Sequence, residues 1–161
     1  MGKTVKLPEL IRIRKKARKE NKRVVFTNGC FDLLHRGHIE YLKKAKNLGD
    51  VLVIGLNSDY SVRRIKGKGR PLQDQKDRAE ILTSLYFVDY VCIFKELTPL
   101  KLISKLVPDV LVKGGDWEIN DIVGKEIVES HSGKVLNIKI VKGKSTQQII
   151  QTIISRFRNI K

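Results

Sequence analysis

Residues 23–38 read RVVFTNGCFDLLHRGH, and the fold follows from how this stretch changes character along its length. Val24, Val25 and Phe26 form a short β-branched and aromatic run suited to a buried strand. Thr27, Asn28 and Gly29 break that run. A helical pattern begins near Gly37 and continues through Ile39, Tyr41, Leu42 and Ala45. Strand, glycine-bearing turn and helix start therefore fall within a few residues, which is the geometry of a phosphate site. A helix N-terminus offers unpaired N–H groups and the positive end of a dipole, and glycine lets an anion come close to the backbone. His35 and His38 are three apart, so they share one face if the helix has begun there. Two imidazoles beside free amides suit negative charge developing on a phosphate.

Outward from this stretch, strand and helix patterns alternate. A helix is predicted over residues 7–20, with Pro8 in its first turn, Leu7, Leu10, Ile11 and Ala17 on one side, and Arg12, Lys15, Lys16, Arg18 and Lys19 on solvated faces. VLVIGL at 51–56 is a second strand, followed by a turn at Asn57, Ser58 and Asp59. Arg63, Arg64, Lys66, Lys68 and Arg70, with Gly67, Gly69 and Pro71 among them, predict a mobile loop. Asp74 caps a helix running to about Tyr86, with Ala79, Leu82 and Leu85 inward. Residues 90–94 form a third strand. A helix from Thr98-Pro99 ends at Pro108, and residues 109–112 form a fourth strand that leads into KGGDW. A helix over 121–131, stopped by Gly133, precedes a fifth strand at 134–138. GKST at 143–146 opens a last helix with Ile149, Ile150, Ile153, Ile154 and Phe157 at helical spacing.

This alternation predicts an α/β fold: a Rossmann-like, doubly wound, parallel sheet of five strands with helices on both faces. The 161 residues read as one domain, with the basic helix of residues 1–22 packed on it. Ligands of such sheets bind at the carboxyl ends of strands, at the switch point. Each candidate segment follows a strand: 27–38, 57–70, 114–117 and 143–146.

Charge and cysteine content narrow the classes. The net charge is +16, and half of it lies within the first 23 residues. That excess suits nucleic acid, or an enzyme handling a triphosphate and a sugar phosphate. Aromatics are 6% and do not interleave with the basic runs, which disfavours a single-strand binding platform. No apolar run is long enough to span a membrane, and the N-terminus has no apolar signal core, so no membrane association and a cytoplasmic site are expected. Cys30 and Cys92 make no disulfide framework, and Cys92 reads as core. A metal site built from Cys30, Asp32, His35 and His38 is disfavoured, because zincin-type helices space their histidines four apart around a glutamate. No protein-side-chain metal ligand is predicted. His131 reads as a surface residue.

The segment TNGCFDLLHRGH resembles the H-x-G-H signature of the cytidylyltransferase-like nucleotidyltransferases, and within them the heptose 1-phosphate adenylyltransferases. The resemblance extends over most of the chain, from Arg23 to Ile154. It implies transfer of AMP from ATP, with Mg²⁺, onto D-glycero-β-D-manno-heptose 1-phosphate, giving ADP-heptose for surface-glycan assembly. His35, His38 and Lys66 are the implied catalytic residues, Lys66 coming from a loop that presents a lysine to the triphosphate. Thr27, Asn28, Gly29, Phe31, Gly37, Arg78, Gly114, Asp116, Trp117, Ser145 and Thr146 are the implied nucleotide- and phosphate-binding residues. Asp32 and Asn57 are implied on the acceptor substrate. Gln147 stands where the related G-x-S-T-T motif has its second threonine. Gly115-Asp116 replaces the paired acids that precede the tryptophan in glycerol-phosphate cytidylyltransferases, which favours adenine. The resemblance further implies a homodimer and a separate heptose kinase, for which this chain has no room. The rivals are a CTP-dependent glycerol-phosphate cytidylyltransferase and a basic nucleic-acid-binding protein. A tRNA synthetase fragment would share H-x-G-H but lacks an anticodon-binding region here.

Overall fold

In the computed structural model, which describes residues 1–115, 117–139 and 145–158, the run after Arg23 becomes the central strand of a parallel sheet. The strands are β1 (Lys3–Thr4), β2 (Val24–Gly29), β3 (Val51–Asn57), β4 (Tyr90–Phe94), β5 (Val110–Gly114) and β6 (Lys134–Ile138). The helices are α1 (Leu7–Lys19), α2 (Arg36–Lys46), α3 (Asp59–Lys66), α4 (Gln75–Thr83), α5 (Leu100–Leu106), α6 (Lys125–Ser130) and α7 (Thr146–Phe157). The lateral order is β1-β4-β3-β2-β5-β6, and the pairings among the described residues are parallel. The chain leaves β2 toward β3 on one side and returns to pair β5 on the other. The crevice at the carboxyl ends of β2 and β5 is therefore the switch point.

Both faces of the sheet are covered, which explains why β3 reads as a nearly continuous apolar run. On one face Phe26, Val53 and Leu111 pack with Leu10 and Ala17 of α1, Leu102, Ile103 and Leu106 of α5, and Val128 of α6. On the other, Val25, Leu52, Ile54 and Val112 pack with Tyr41, Leu42 and Ala45 of α2 and Ala79 and Leu82 of α4. Each fully buried Leu, Ile or Phe contributes roughly 1.5–3 kcal/mol of burial free energy. Arg14 adds a polar pin between α1 and the sheet. Its guanidinium donates to both Asp109 oxygens (2.8 and 2.7 Å) and to the Val107 carbonyl, while Asp109 also accepts the Val24 N–H. Arg14, which the sequence reading leaves unassigned, is buried, while Arg12, Lys15, Lys16, Arg18 and Lys19 of the same helix are exposed as expected.

Several boundaries depart from the sequence reading. Among the described residues the sheet has six strands, not five: Lys3 and Thr4 add an edge strand on β4, too short to leave a pattern. Residues 59–66 are helix rather than mobile loop. Ser58 caps α3 by accepting the Ser61 N–H, Asp59 sits at the positive end of its dipole, and Arg63, Arg64 and Lys66 sit at the negative end. Asp74 does cap α4, accepting from the Lys76 and Asp77 N–H groups at 2.7 and 3.0 Å, but the helix ends at Thr83. The helix predicted over 121–131 is split into a 3₁₀ turn at Ile119–Asp121 and the shorter α6. Gly124 makes the break at φ 90°, where a Cβ would meet Ile103 side-chain atoms at 2.8 Å.

Candidate active site

The carboxyl ends of β2, β3 and β5, with the starts of α2 and α7, enclose a cleft of about 630 Å³. It brings together Asn28, Gly29, Phe31 and Asp32 from the end of β2 and the segment after it, and His35 and His38 at the start of α2. Asn57 and Lys66 come from the β3–α3 unit, Gly114 and Trp117 from the end of β5, and Ser145 and Thr146 from the start of α7. Three residues from the same motifs lie behind this lining. The Thr27 hydroxyl is buried against the Tyr41 hydroxyl at 2.5 Å, Gly37 is buried in the first turn of α2, and Arg78 is 1% exposed. Asp116 lies outside the described residues, as do Gly143 and Lys144 of GKST.

His35 is the extended N-cap of α2, not part of the helix, yet it still meets His38. The two rings stack with centroids 3.9 Å apart and planes 24° from parallel. The Phe31 ring closes over His38 at 5.3 Å, from a backbone at φ 44°. Left-handed backbone at a bulky residue is strained, and such strain gathers at functional sites. Gly29 is what lets that ring in, because a Cβ there would lie 2.9 Å from Phe31 Cε2. Burial, with the neighbouring His35 charge, lowers His38 to about 4, so its imidazole is neutral at physiological pH. His38 Nδ1 is buried without a hydrogen-bond partner among the described residues.

The carboxylates and the large cations near the cleft divide the remaining work. Asp32 accepts Arg70 Nε at 2.6 Å and the N–H groups of Leu72 and Gln73, so it ties down the segment after α3. Arg78 donates to the carbonyls of Cys30 (2.6 Å), Asn57 (2.9 Å) and Gln73 (3.0 Å) and pairs with Asp59 at 2.7 Å. It knots four segments beneath the cleft, where the sequence reading placed it near the phosphates. Ser145 caps α7 by accepting the Gln148 N–H, and the Thr146 hydroxyl donates to the Leu33 carbonyl, which fastens α7 to the histidine segment. Asn137 of β6 donates to the Trp117 carbonyl at 2.5 Å. Burial raises the Cys30 thiol despite Lys66, Arg78 and Arg70 nearby, so it stays protonated.

Arg70, Thr98, Lys113 and Asp121 also line the cleft, residues that the sequence places in the neighbouring segments without giving them a site role. Lys113 had a signal: it is the lone cation ending an apolar strand run. Asp121 ends the 3₁₀ turn at Ile119–Asp121, which the sequence reads as the start of a longer helix.

Known proteins resemble this chain in sequence and in fold. The bifunctional protein HldE of Citrifermentans bemidjiense is 57% identical over 136 residues, covering 84% of this chain and 28% of the relative. HldE of Geotalea uraniireducens is 56% identical over 147 residues, or 91% of this chain and 30% of the relative. The chain thus spans less than a third of the length of these curated relatives. A crystal structure of the lipopolysaccharide core biosynthesis protein from Thermoplasma volcanium superposes with a TM-score of 0.62 at 29% identity, over 76% of this chain and 99% of that one. Pantoate-β-alanine ligase from Francisella tularensis superposes with a TM-score of 0.62 at 17% identity, over 99% of this chain and 80% of that one, which shows the fold alone. The family model described as cytidylyltransferase-like matches residues 26–157. With its stacked histidines at a helix start beside the sheet's switch point, the chain belongs to the cytidylyltransferase-like family.

Proposed function

We propose that this protein is a nucleotidyltransferase that moves AMP from ATP to D-glycero-β-D-manno-heptose 1-phosphate, giving ADP-heptose and pyrophosphate. The observation that carries the reading is the stacked pair His35 and His38 at the N-terminus of α2, in one cleft with Lys66. Family membership and the run of HldE relatives at 54–58% identity support it.

An oxygen of the acceptor phosphate attacks the α-phosphorus, and the bond from that phosphorus to the bridging oxygen of pyrophosphate breaks, with its electron pair leaving on pyrophosphate. The nucleophile is already anionic, so no general base is needed. What the site must supply is relief from repulsion and stabilisation of charge on the α-phosphate oxygens. The histidines, the free N–H groups in the first turn of α2 and the Lys66 ammonium do this. His38 acts as a neutral N–H donor, because burial keeps it uncharged. Asp32 is already saturated, and Asp121 is the other carboxylate among the described cleft residues. That donor set fits a Mg²⁺ held chiefly by the triphosphate's own oxygens rather than by a protein cage. Bound there, the ion would neutralise charge on the phosphates. Trp117 and Gly114 would face the nucleotide base and ribose.

The same reading gives a cytoplasmic enzyme fed by a heptose kinase and acting as a homodimer. Among the described residues no helix is long and apolar enough to cross a membrane. Ile153, Ile154 and Phe157 on α7 are 48%, 58% and 56% exposed, an apolar stripe that a second copy would cover. Incubation with each nucleoside triphosphate and a panel of sugar and alcohol phosphates, followed by pyrophosphate release, tests the assignment. ATP with the heptose 1-phosphate should dominate. Equal turnover of CTP with glycerol phosphate would replace it with the cytidylyltransferase reading.

A further inference from the structure

Lys113, on β5 one residue before its end, stands apart from the other cations of the cleft. Its Nζ donates to Asn28 Oδ1 at 3.1 Å, across the crevice between β5 and β2. The same ammonium lies 5.4 Å from the Trp117 ring centroid. It forms no ion pair with a carboxylate among the described residues, in contrast to Arg70 and Arg78 in the same region. An ammonium has three donors, and a neutral amide uses one. Burial pushes its pKa below the usual lysine range and the Lys66 charge works in the same direction, while Cys30 opposes them. A partly desolvated cation with a neutral amide as its hydrogen-bond partner, in the same cleft as a second cation, is stabilised when an anion enters.

Transfer to an α-phosphorus is in line, so the attacking and leaving oxygens stand on opposite sides of it. The side chains that the proposed mechanism sets against the α-phosphate, namely the histidine pair and Lys66, come from the segments that follow β2 and β3. Lys113 comes from β5, on the opposite side of β2 from β3. We propose that Lys113 is the receptor for the acceptor's phosphate, holding the attacking phosphate monoester on the β5 side of the crevice while Asn28 orients its ammonium. This rests on the adenylyl-transfer reading above and adds to it a specificity-determining residue for the acceptor.

The test compares the wild-type protein with Lys113→Met, Lys113→Gln and Lys113→Arg. Calorimetry measures binding of a non-hydrolysable ATP analogue, then of the heptose 1-phosphate and of inorganic phosphate to the analogue-loaded protein. Steady-state assays give KM for ATP and for acceptor separately, and thermal melts check folding. Both charge-free variants should weaken acceptor and phosphate binding by about 10-fold or more, as expected for a lost charge-assisted hydrogen bond. Their affinity for the ATP analogue should change far less, and Lys113→Arg should recover part of the acceptor affinity. If the loss falls on the ATP analogue, or acceptor binding is unchanged in a folded charge-free variant, the inference is overturned. Absence of acceptor and phosphate binding to the loaded wild-type protein overturns it too. If phosphate binding is lost as expected but the wild-type protein transfers no AMP to the heptose, the proposed function fails and the role of Lys113 stands.

Discussion

His38 shows how much a side chain's chemistry depends on its neighbours. Beside His35 and under Phe31 it titrates near 4 instead of its ordinary 6.5. Between those values the unfolded chain binds a proton that the folded one refuses. The His38 contribution to stability is therefore complete above 6.5 and lost as pH falls toward 4. Urea midpoints at neutral and mildly acidic pH should show His38→Gln losing part of the wild-type acid sensitivity; parallel curves would contradict it. In catalysis, His35→Ala and His38→Ala should each lower kcat by ~10²-fold or more, with ATP affinity reduced much less, because the lost donors act on charge that develops in the transition state. Full turnover in both variants would end the mechanism.

At the scale of elements, α3 and the segment after it form one unit held from below. Arg78 ties α4 to Cys30, Asn57, Gln73 and Asp59, and Asp32 ties down residues 70–73. Lys66, at the far end of α3, is exposed and makes no ion pair among the described residues. The two cations should therefore fail in opposite ways. Arg78→Met leaves Asp59 and several carbonyls unsatisfied and should cost about 3–5 kcal/mol of stability. Lys66→Ala should leave stability within about 0.5 kcal/mol while lowering activity. Denaturant melts alongside kcat measurements separate them, and an Arg78→Met protein of wild-type stability would show that its buried network does not hold the site.

Over the whole molecule, the +16 charge is spread unevenly between surface and site. Lys15, Lys16 and Lys19 are exposed on α1, and Lys16 makes a long 3.7 Å pair with Glu20, so their neutralisation should leave turnover nearly intact. A large loss of kcat in that triple variant, or salt-resistant, sequence-selective binding of DNA or RNA, would move the function toward nucleic acid. The exposed apolar stripe of α7 sets the expectation for assembly, and light scattering at working concentration should give the mass of a dimer.

The sequence by itself determined a strand and a helix start within 23–38, the parallel α/β architecture and the order in which the candidate segments arrive at one end of the sheet, although Thr27, Asn28 and Gly29, read as the turn, continue β2 in register with β3. These are local signals: apolar period, glycine position and caps are written within a few residues of where they act. Tertiary structure decided what no window of neighbours contains. The two-residue β1 exists because β4 offers it a free edge. The break at Gly124 matters because Ile103 crowds it. Arg78 turned inward because the Cys30 carbonyl lies 48 residues back along the chain, and Lys113 met Asn28 across 85 residues. A side chain's partners at that separation are set by the order of strands in the sheet, and only the folded chain brings them together.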